Sequence, residues 1–177
     1  MKFEIFDHME ECTEAEVQRM LPLVSEQRRQ QALRYKHTFG QFCCLKSWMM
    51  LKDLMDEVGE WQYNEHGKPS IEGKYFNISH CKSGIAVAVD DQPIGIDIEA
   101  IRHAEPELIE RTMNAQEQQQ IRSDRDFTRL WTRKEAVVKA QGTGIESFEQ
   151  LQKTLEAEDW KLKTFEADKY IYSIAHK

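Results

Sequence analysis

The segment Pro93-Ile94-Gly95-Ile96-Asp97-Ile98-Glu99 decides how this chain folds. In an extended backbone side chains alternate, so Ile94, Ile96 and Ile98 point to one face and Gly95, Asp97 and Glu99 to the other. The segment is a strand whose apolar face backs an acidic one. At strand rise the two carboxylate-bearing residues lie roughly 7 Å apart at Cα. That is close enough to share a hard cation, and unfavourable for two unpaired charges. A divalent metal ion is the natural relief, with two solvated acids on an exposed strand as the plainer alternative.

Outward from this strand, Tyr75 to Ile78 and Ile85 to Val89 also have strand character. The turn residues Asp90-Asp91-Gln92-Pro93 predict a hairpin between Ile85–Val89 and Ile94–Ile98. Upstream, Phe3 to Phe6 predicts a short strand and Thr13-Glu-Ala-Glu16 a capping-box helix start, interrupted at Pro22. A basic segment from Glu26 to His37 precedes a long helix over about Thr38 to Val58. Phe39, Phe42, Leu45, Met49, Leu54 and Val58 load that helix for the core, and Gly59 stops it. Downstream, helices are expected over about Pro106 to Ser123 and Asp126 to Gln141, the latter ended by Gly142 and Gly144. Strands Trp160 to Phe165 and Tyr170 to Ala175 then close around the Glu166–Lys169 turn. Helices followed by a hairpin, twice over, make an α+β protein of two packed halves, residues 1–99 and 100–177.

The length of 177 residues suits one domain or two small halves sharing a core. With 31 acidic against 24 basic residues the net charge is −7, which argues against a general nucleic-acid binder and confines any anion site to a local basic patch. Cys12, Cys43, Cys44 and Cys81 follow neither a zinc nor a disulfide spacing, so a reducing compartment is expected. No signal-peptide h-region and no membrane-length apolar run is present, and a cytoplasmic protein is the expectation.

A second acidic locus lies in Trp131-Thr132-Arg133-Lys134-Glu135-Ala136-Val137-Val138-Lys139. On a helix Trp131, Glu135 and Lys139 form one stripe at i, i+4 and i+8. Taken alone, Glu135 and Lys139 read equally as a surface i,i+4 pair. Ser79-His80 reads equally as a turn with local side-chain hydrogen bonds, Gly67-Lys68-Pro69 as a loop, and Arg28-Arg29 as a solvated helix face.

Four motifs in order change that weighting: Gly67-Lys68-Pro69, Phe76-Asn77-Ile78-Ser79-His80, Pro93 to Glu99, and Trp131-x-x-Lys134-Glu135-Ala136-x-x-Lys139 with Gly142-x-Gly144. Together they resemble the 4′-phosphopantetheinyl transferases, of the surfactin-synthetase-activating type that carries two halves in one chain. The resemblance covers about residues 67–144 and implies an intramolecular pseudo-dimer of two α/β halves with small antiparallel sheets and flanking helices. It implies transfer of the phosphopantetheine arm of coenzyme A to a serine of an apo acyl or peptidyl carrier protein, with release of 3′,5′-ADP.

By that resemblance Asp97, Glu99 and Glu135 hold a magnesium ion, Glu135 is the base, directly or through a metal-bound water, and Lys139 assists the leaving phosphate. Ser79 and His80 contact phosphate, Lys68 and Pro69 lie near the adenosine end, Lys134 adds charge to the pocket, and Arg28 or Arg29 meets the 3′-phosphate. A monomer is implied, because both halves of the site lie in one chain. One departure stands out: where the family commonly has a phosphate-binding arginine near the start of the long helix, this chain has Cys43. That departure supports the alternative of a non-catalytic relative that binds coenzyme A or a carrier protein.

Overall fold

The computed structural model describes residues 1–55, 62–63, 69–71, 73–156 and 159–177, with backbone alone at 62–63 and 69–70. β1 (Lys2–Phe6) leads into α1 (Glu14–Met20), α2 (Glu26–Leu33) and α3 (Thr38–Leu54). The short β2 (Gln62–Tyr63) and β3 (Pro69–Ser70) pair with each other, and β4 (Tyr75–Cys81), β5 (Gly84–Asp90) and β6 (Ile94–Ala100) follow. Next come α4 (Pro106–Thr112), α5 (Ala115–Gln118), α6 (Asp124–Gln141) and α7 (Phe148–Lys153), and the chain closes with β7 (Lys161–Glu166) and β8 (Tyr170–His176). The protein is α+β, with two three-stranded antiparallel sheets ordered β1-β5-β4 and β6-β8-β7.

The expected hairpin between Ile85–Val89 and Ile94–Ile98 does not form. β5 is the central strand of its sheet, with β1 on one edge and β4 on the other, so no edge remains for β6. The hairpin is instead β4 to β5, and the 90–93 link carries the chain from one sheet to the other. β6, counted from sequence with the first half, therefore pairs in the second sheet. The link is pinned where Asp90 accepts from the Asp91 amide at 2.8 Å and pairs with the N-terminal ammonium at 3.3 Å.

The alternation along β5 explains how the sheets stack. Ile85, Val87 and Val89 join Val17, Met20, Phe42, Leu45 and Leu51 in a core beneath α1 to α3. The small residues Ala86 and Ala88 face the other way, against Ile94, Ile96, Ile98 and Ile174. Large side chains thus fill the helix side, and alanines let the second sheet approach closely. α6 covers the far face of that second sheet, with Ala136, Val137 and Ala140 against Ala175.

Local signals set the helix ends. Thr13 accepts from the Glu16 amide, but the Glu16 carboxylate binds Arg19 instead of closing the capping box. The helix expected over 106–123 is broken in two: α4 stops at Thr112, and Asn114 with Glu117 forms a complete capping box for α5. Ser123 caps α6, which therefore starts at Asp124, two residues earlier than expected. α3 ends at Leu54, with Met55 already extended; the expected run to Val58 and the Gly59 stop lie outside the described residues. The short α7, β2 and β3 were not anticipated. No helix among the described residues is long and apolar enough to cross a membrane.

Gly95 sets how closely α6 lies on β6. A Cβ there would meet the Ala136 carbonyl oxygen at 2.0 Å and the Ala140 nitrogen at 2.4 Å, both backbone atoms that cannot swing aside. Gly95→Ala is expected to lower unfolding free energy by at least about 3 kcal/mol, the upper end of ordinary overpacking costs, read from urea denaturation. An unchanged midpoint would mean that α6 can ride away from the strand.

Candidate active site

β4 and β6 run side by side, joined by side chains. Asn77 Oδ1 accepts from the Ile96 amide at 2.9 Å, and Ser79 Oγ accepts from the Ile98 amide at 3.2 Å. Both side chains belong to buried residues of β4, and they satisfy the edge of β6 that β8 leaves open. Ser79 and His80 therefore lie within a strand that runs to Cys81.

The Ser79 hydroxyl does more than bridge. It donates to Asp97 Oδ1 at 2.9 Å and accepts from Lys139 Nζ at 3.0 Å, while Lys139 Nζ also reaches Asp97 Oδ1 at 2.5 Å. One donor and two acceptor sites are all a hydroxyl has, and Ser79 uses every one. Strand β4, strand β6 and helix α6 thus meet at one atom cluster. The surface-pair interpretation of Glu135 and Lys139 does not describe Lys139, whose ammonium crosses to pair with Asp97.

Burial makes the surrounding acids unusual. Asp97 is 2% exposed and its Oδ2 has no hydrogen-bond partner among the described residues. Burial, and then the Asp97 charge, push the Glu99 carboxyl above its ordinary pKa. Glu135 is pushed up to about 7, first by burial and next by Asp97, with Lys139 opposing the rise. Asp97, Glu99 and Glu135 therefore share one electrostatic neighbourhood built from a strand and a helix. Among the described residues no three His, Cys, Asp or Glu side chains stand close enough together to hold a metal ion. The orphaned Asp97 Oδ2 and the hard carboxylate donors nevertheless fit a cation such as magnesium.

His80 keeps solvent access, while atoms crowding its ring and then the Lys139 charge hold its pKa down. Phe39, at the start of α3, lies 5.8 Å from it ring to ring. The two arginines differ in setting. Arg28 is 6% exposed and points its guanidinium at the Cys44 sulfur, 3.5 Å away. Arg29 donates to the Leu21 carbonyl at 3.1 Å and pairs with Glu26 at 3.1 Å. Cys43 faces the core at 3% exposure, its thiol pushed up to about 12 by burial.

Lys134 requires a correction. It is fully buried, pairs with Glu117 at 2.8 Å and donates to the Leu151 and Gln152 carbonyls at 2.7 and 3.2 Å. It ties α6 to α5 and α7 in the interior, so it adds no charge to the pocket. Lys68 lies outside the described residues, and Pro69 is placed only as backbone of β3.

Two residues escaped the sequence reading. Asn77 stands two residues before Ser79, so strand alternation places both on one face; taking Ser79-His80 as a turn hid this. Arg102 lies three residues past Glu99, with its guanidinium 5.4 Å from the centre of the Trp131 ring. It lowers the pKa of both Glu99 and Glu135.

The sequence profile of the 4′-phosphopantetheinyl transferase superfamily matches residues 93–174, the span that holds Asp97, Glu99, Glu135 and Lys139. Over that span, somewhat less than half of the chain, the sequence is similar to this superfamily. Similar proteins include the 4′-phosphopantetheinyl transferase psf-1 of Bacillus pumilus, 30% identical over 146 residues, covering 73% of this chain and 63% of that protein. The transferase Sfp of Bacillus subtilis strain 168 is 27% identical over 149 residues, 75% of this chain and 66% of its own. The transferase AcpT of Salmonella typhi is 32% identical over 112 residues, 54% of this chain and 58% of its own. The chain thus spans less than two thirds of the length of these superfamily relatives.

A raised carboxyl pKa makes a signed prediction for this protein. The folded protein holds a proton on Glu135 up to about pH 7, the unfolded chain only to its ordinary 4.5. This stability contribution is full below about pH 4.5 and is lost as pH rises through 7. Without divalent cations, urea midpoints should fall between about pH 5 and pH 8, and Glu135→Gln should flatten that fall and be more stable than wild type at the upper pH. Glu99 titrates in the same sense and leaves a residual slope. Identical slopes in the two proteins would contradict the buried setting of Glu135.

Proposed function

We propose that the chain transfers the 4′-phosphopantetheine moiety of coenzyme A to a serine of an apo carrier protein and releases 3′,5′-ADP. The observation that carries this proposal is the convergence of Asp97, Ser79 and Lys139 on one point with Glu99 and Glu135 beside it. The names of the relatives support it, since each is called a 4′-phosphopantetheinyl transferase.

In this proposal the carrier serine oxygen attacks the β-phosphorus of coenzyme A. The bond from that phosphorus to the bridging oxygen breaks, and its electron pair leaves with 3′,5′-ADP. Glu135, on the α6 stripe that also carries Lys139, takes the serine proton. Lys139 sets an ammonium beside the departing phosphate, and His80 and Ser79 line the 3′,5′-ADP end. Asp97, Glu99 and Glu135 would hold a magnesium ion, which when bound neutralises diphosphate charge. Orientation and charge stabilisation by these fixed groups supply most of the acceleration. A cytoplasmic monomer is the setting that goes with this chemistry.

The test is to incubate the protein with coenzyme A, magnesium and an apo acyl or peptidyl carrier protein and to weigh the carrier. A mass gain of one phosphopantetheine on the serine is expected. Asp97→Ala and Lys139→Ala should each lower turnover at least about 100-fold, the scale of losing a charge-stabilising group, and Lys139→Ala should affect turnover more than coenzyme A binding. Coenzyme A binding without modification of any carrier would favour the non-catalytic alternative, which the core-facing Cys43 supports.

A further inference from the structure

We infer that Arg102 anchors the phosphoryl group that is transferred, at the end of the acidic stripe opposite Lys139; this rests on the transferase function proposed above. The order of side chains along α6 and β6 places it there. Gly95 abuts Ala136 and Ala140, Asp97 meets Lys139, and Arg102 lies over Trp131, so the strand and the helix run in opposite directions past each other. Trp131 and Lys139 are eight residues apart on α6, about 12 Å at helical rise. One cation therefore stands at each end of the acidic stripe.

The two ends differ. Lys139 is bonded to Ser79 and acts on His80, the two groups assigned to the 3′,5′-ADP side. What remains for the transferred phosphoryl and its pantetheine arm is the Glu99 and Trp131 end. Arg102 is exposed there, and among the described residues no carboxylate lies within ion-pair distance of it. Attraction to the face of an indole ring holds a guanidinium near it without using up its N–H donors. A planar fork with five donors suits two phosphoryl oxygens at once.

The ligands separate this role from others. Coenzyme A carries the transferred phosphoryl group; 3′,5′-ADP lacks it and keeps everything at the other end. By calorimetry with magnesium present, Arg102→Gln should weaken coenzyme A binding by about 10-fold or more, the loss of a charge-assisted contact, and leave 3′,5′-ADP binding unchanged. Arg102→Lys should recover only part of the loss, because a point charge replaces the fork. Equal weakening of both ligands would overturn the assignment by placing Arg102 at the nucleotide end. Unchanged binding of both with a raised KM for the carrier would overturn it in favour of carrier docking, and unchanged binding with unchanged kinetics would overturn it outright. A wild-type chain that binds neither ligand and modifies no carrier removes the transferase function itself, and Arg102's role with it.

Discussion

Two side-chain hydrogen bonds, from the Ile96 amide to Asn77 and from the Ile98 amide to Ser79, hold the edges of the two sheets together. Edge strands carry unpaired backbone groups, and burying them without partners costs about 1–3 kcal/mol each. This fold spans the gap with the side chains of β4. The consequence is positional: Asp97 sits between Ile96 and Ile98, so fixing those two amides fixes the carboxylate. The rest of the site is built against it.

Packing reinforces the same line. The alanines of β5 bring the sheets close, and Gly95 lets α6 lie against β6 without an intervening side chain. Lys139 then reaches Asp97 and Ser79 from the helix side. Lys134, one residue before Glu135, anchors the opposite side of α6 in the interior through Glu117 and two carbonyls. Removing one partner of a buried pair leaves an uncompensated charge, so this anchor resists rotation of the helix that carries Glu135. Neighbouring positions in the Trp-x-x-Lys-Glu motif thus divide between holding the helix, Lys134, and joining the acidic cluster, Glu135.

The alternation in Pro93 to Glu99 made the strand, its apolar backing and its acidic face legible, because period-two patterning depends only on neighbours in the chain. The stripe of Trp131, Glu135 and Lys139 was legible for the same reason on a helix. What could not be read was partnership. Asp90 to Pro93 has turn chemistry, yet whether β6 pairs with β5 depends on β1 having taken the free edge of β5. Lys134 looked like pocket charge because sequence does not disclose that Glu117 and the Leu151 carbonyl close over it. Arg28 likewise belongs to a basic run, while its burial against Cys44 depends on the packing of α2 on α3.

The hydrogen bonds that join the sheets also place the Asp97 carboxylate. Asn77→Ala tests this, because the Asn77 side chain holds the Ile96 amide next to Asp97 rather than the carboxylate itself. Stability and the transfer rate per folded molecule should be measured on one preparation. Stability should fall by about 1–3 kcal/mol for the orphaned amide, and the transfer rate should fall with it as Asp97 loses its seat. A variant that is less stable yet transfers at the wild-type rate would show that these bonds do not place Asp97.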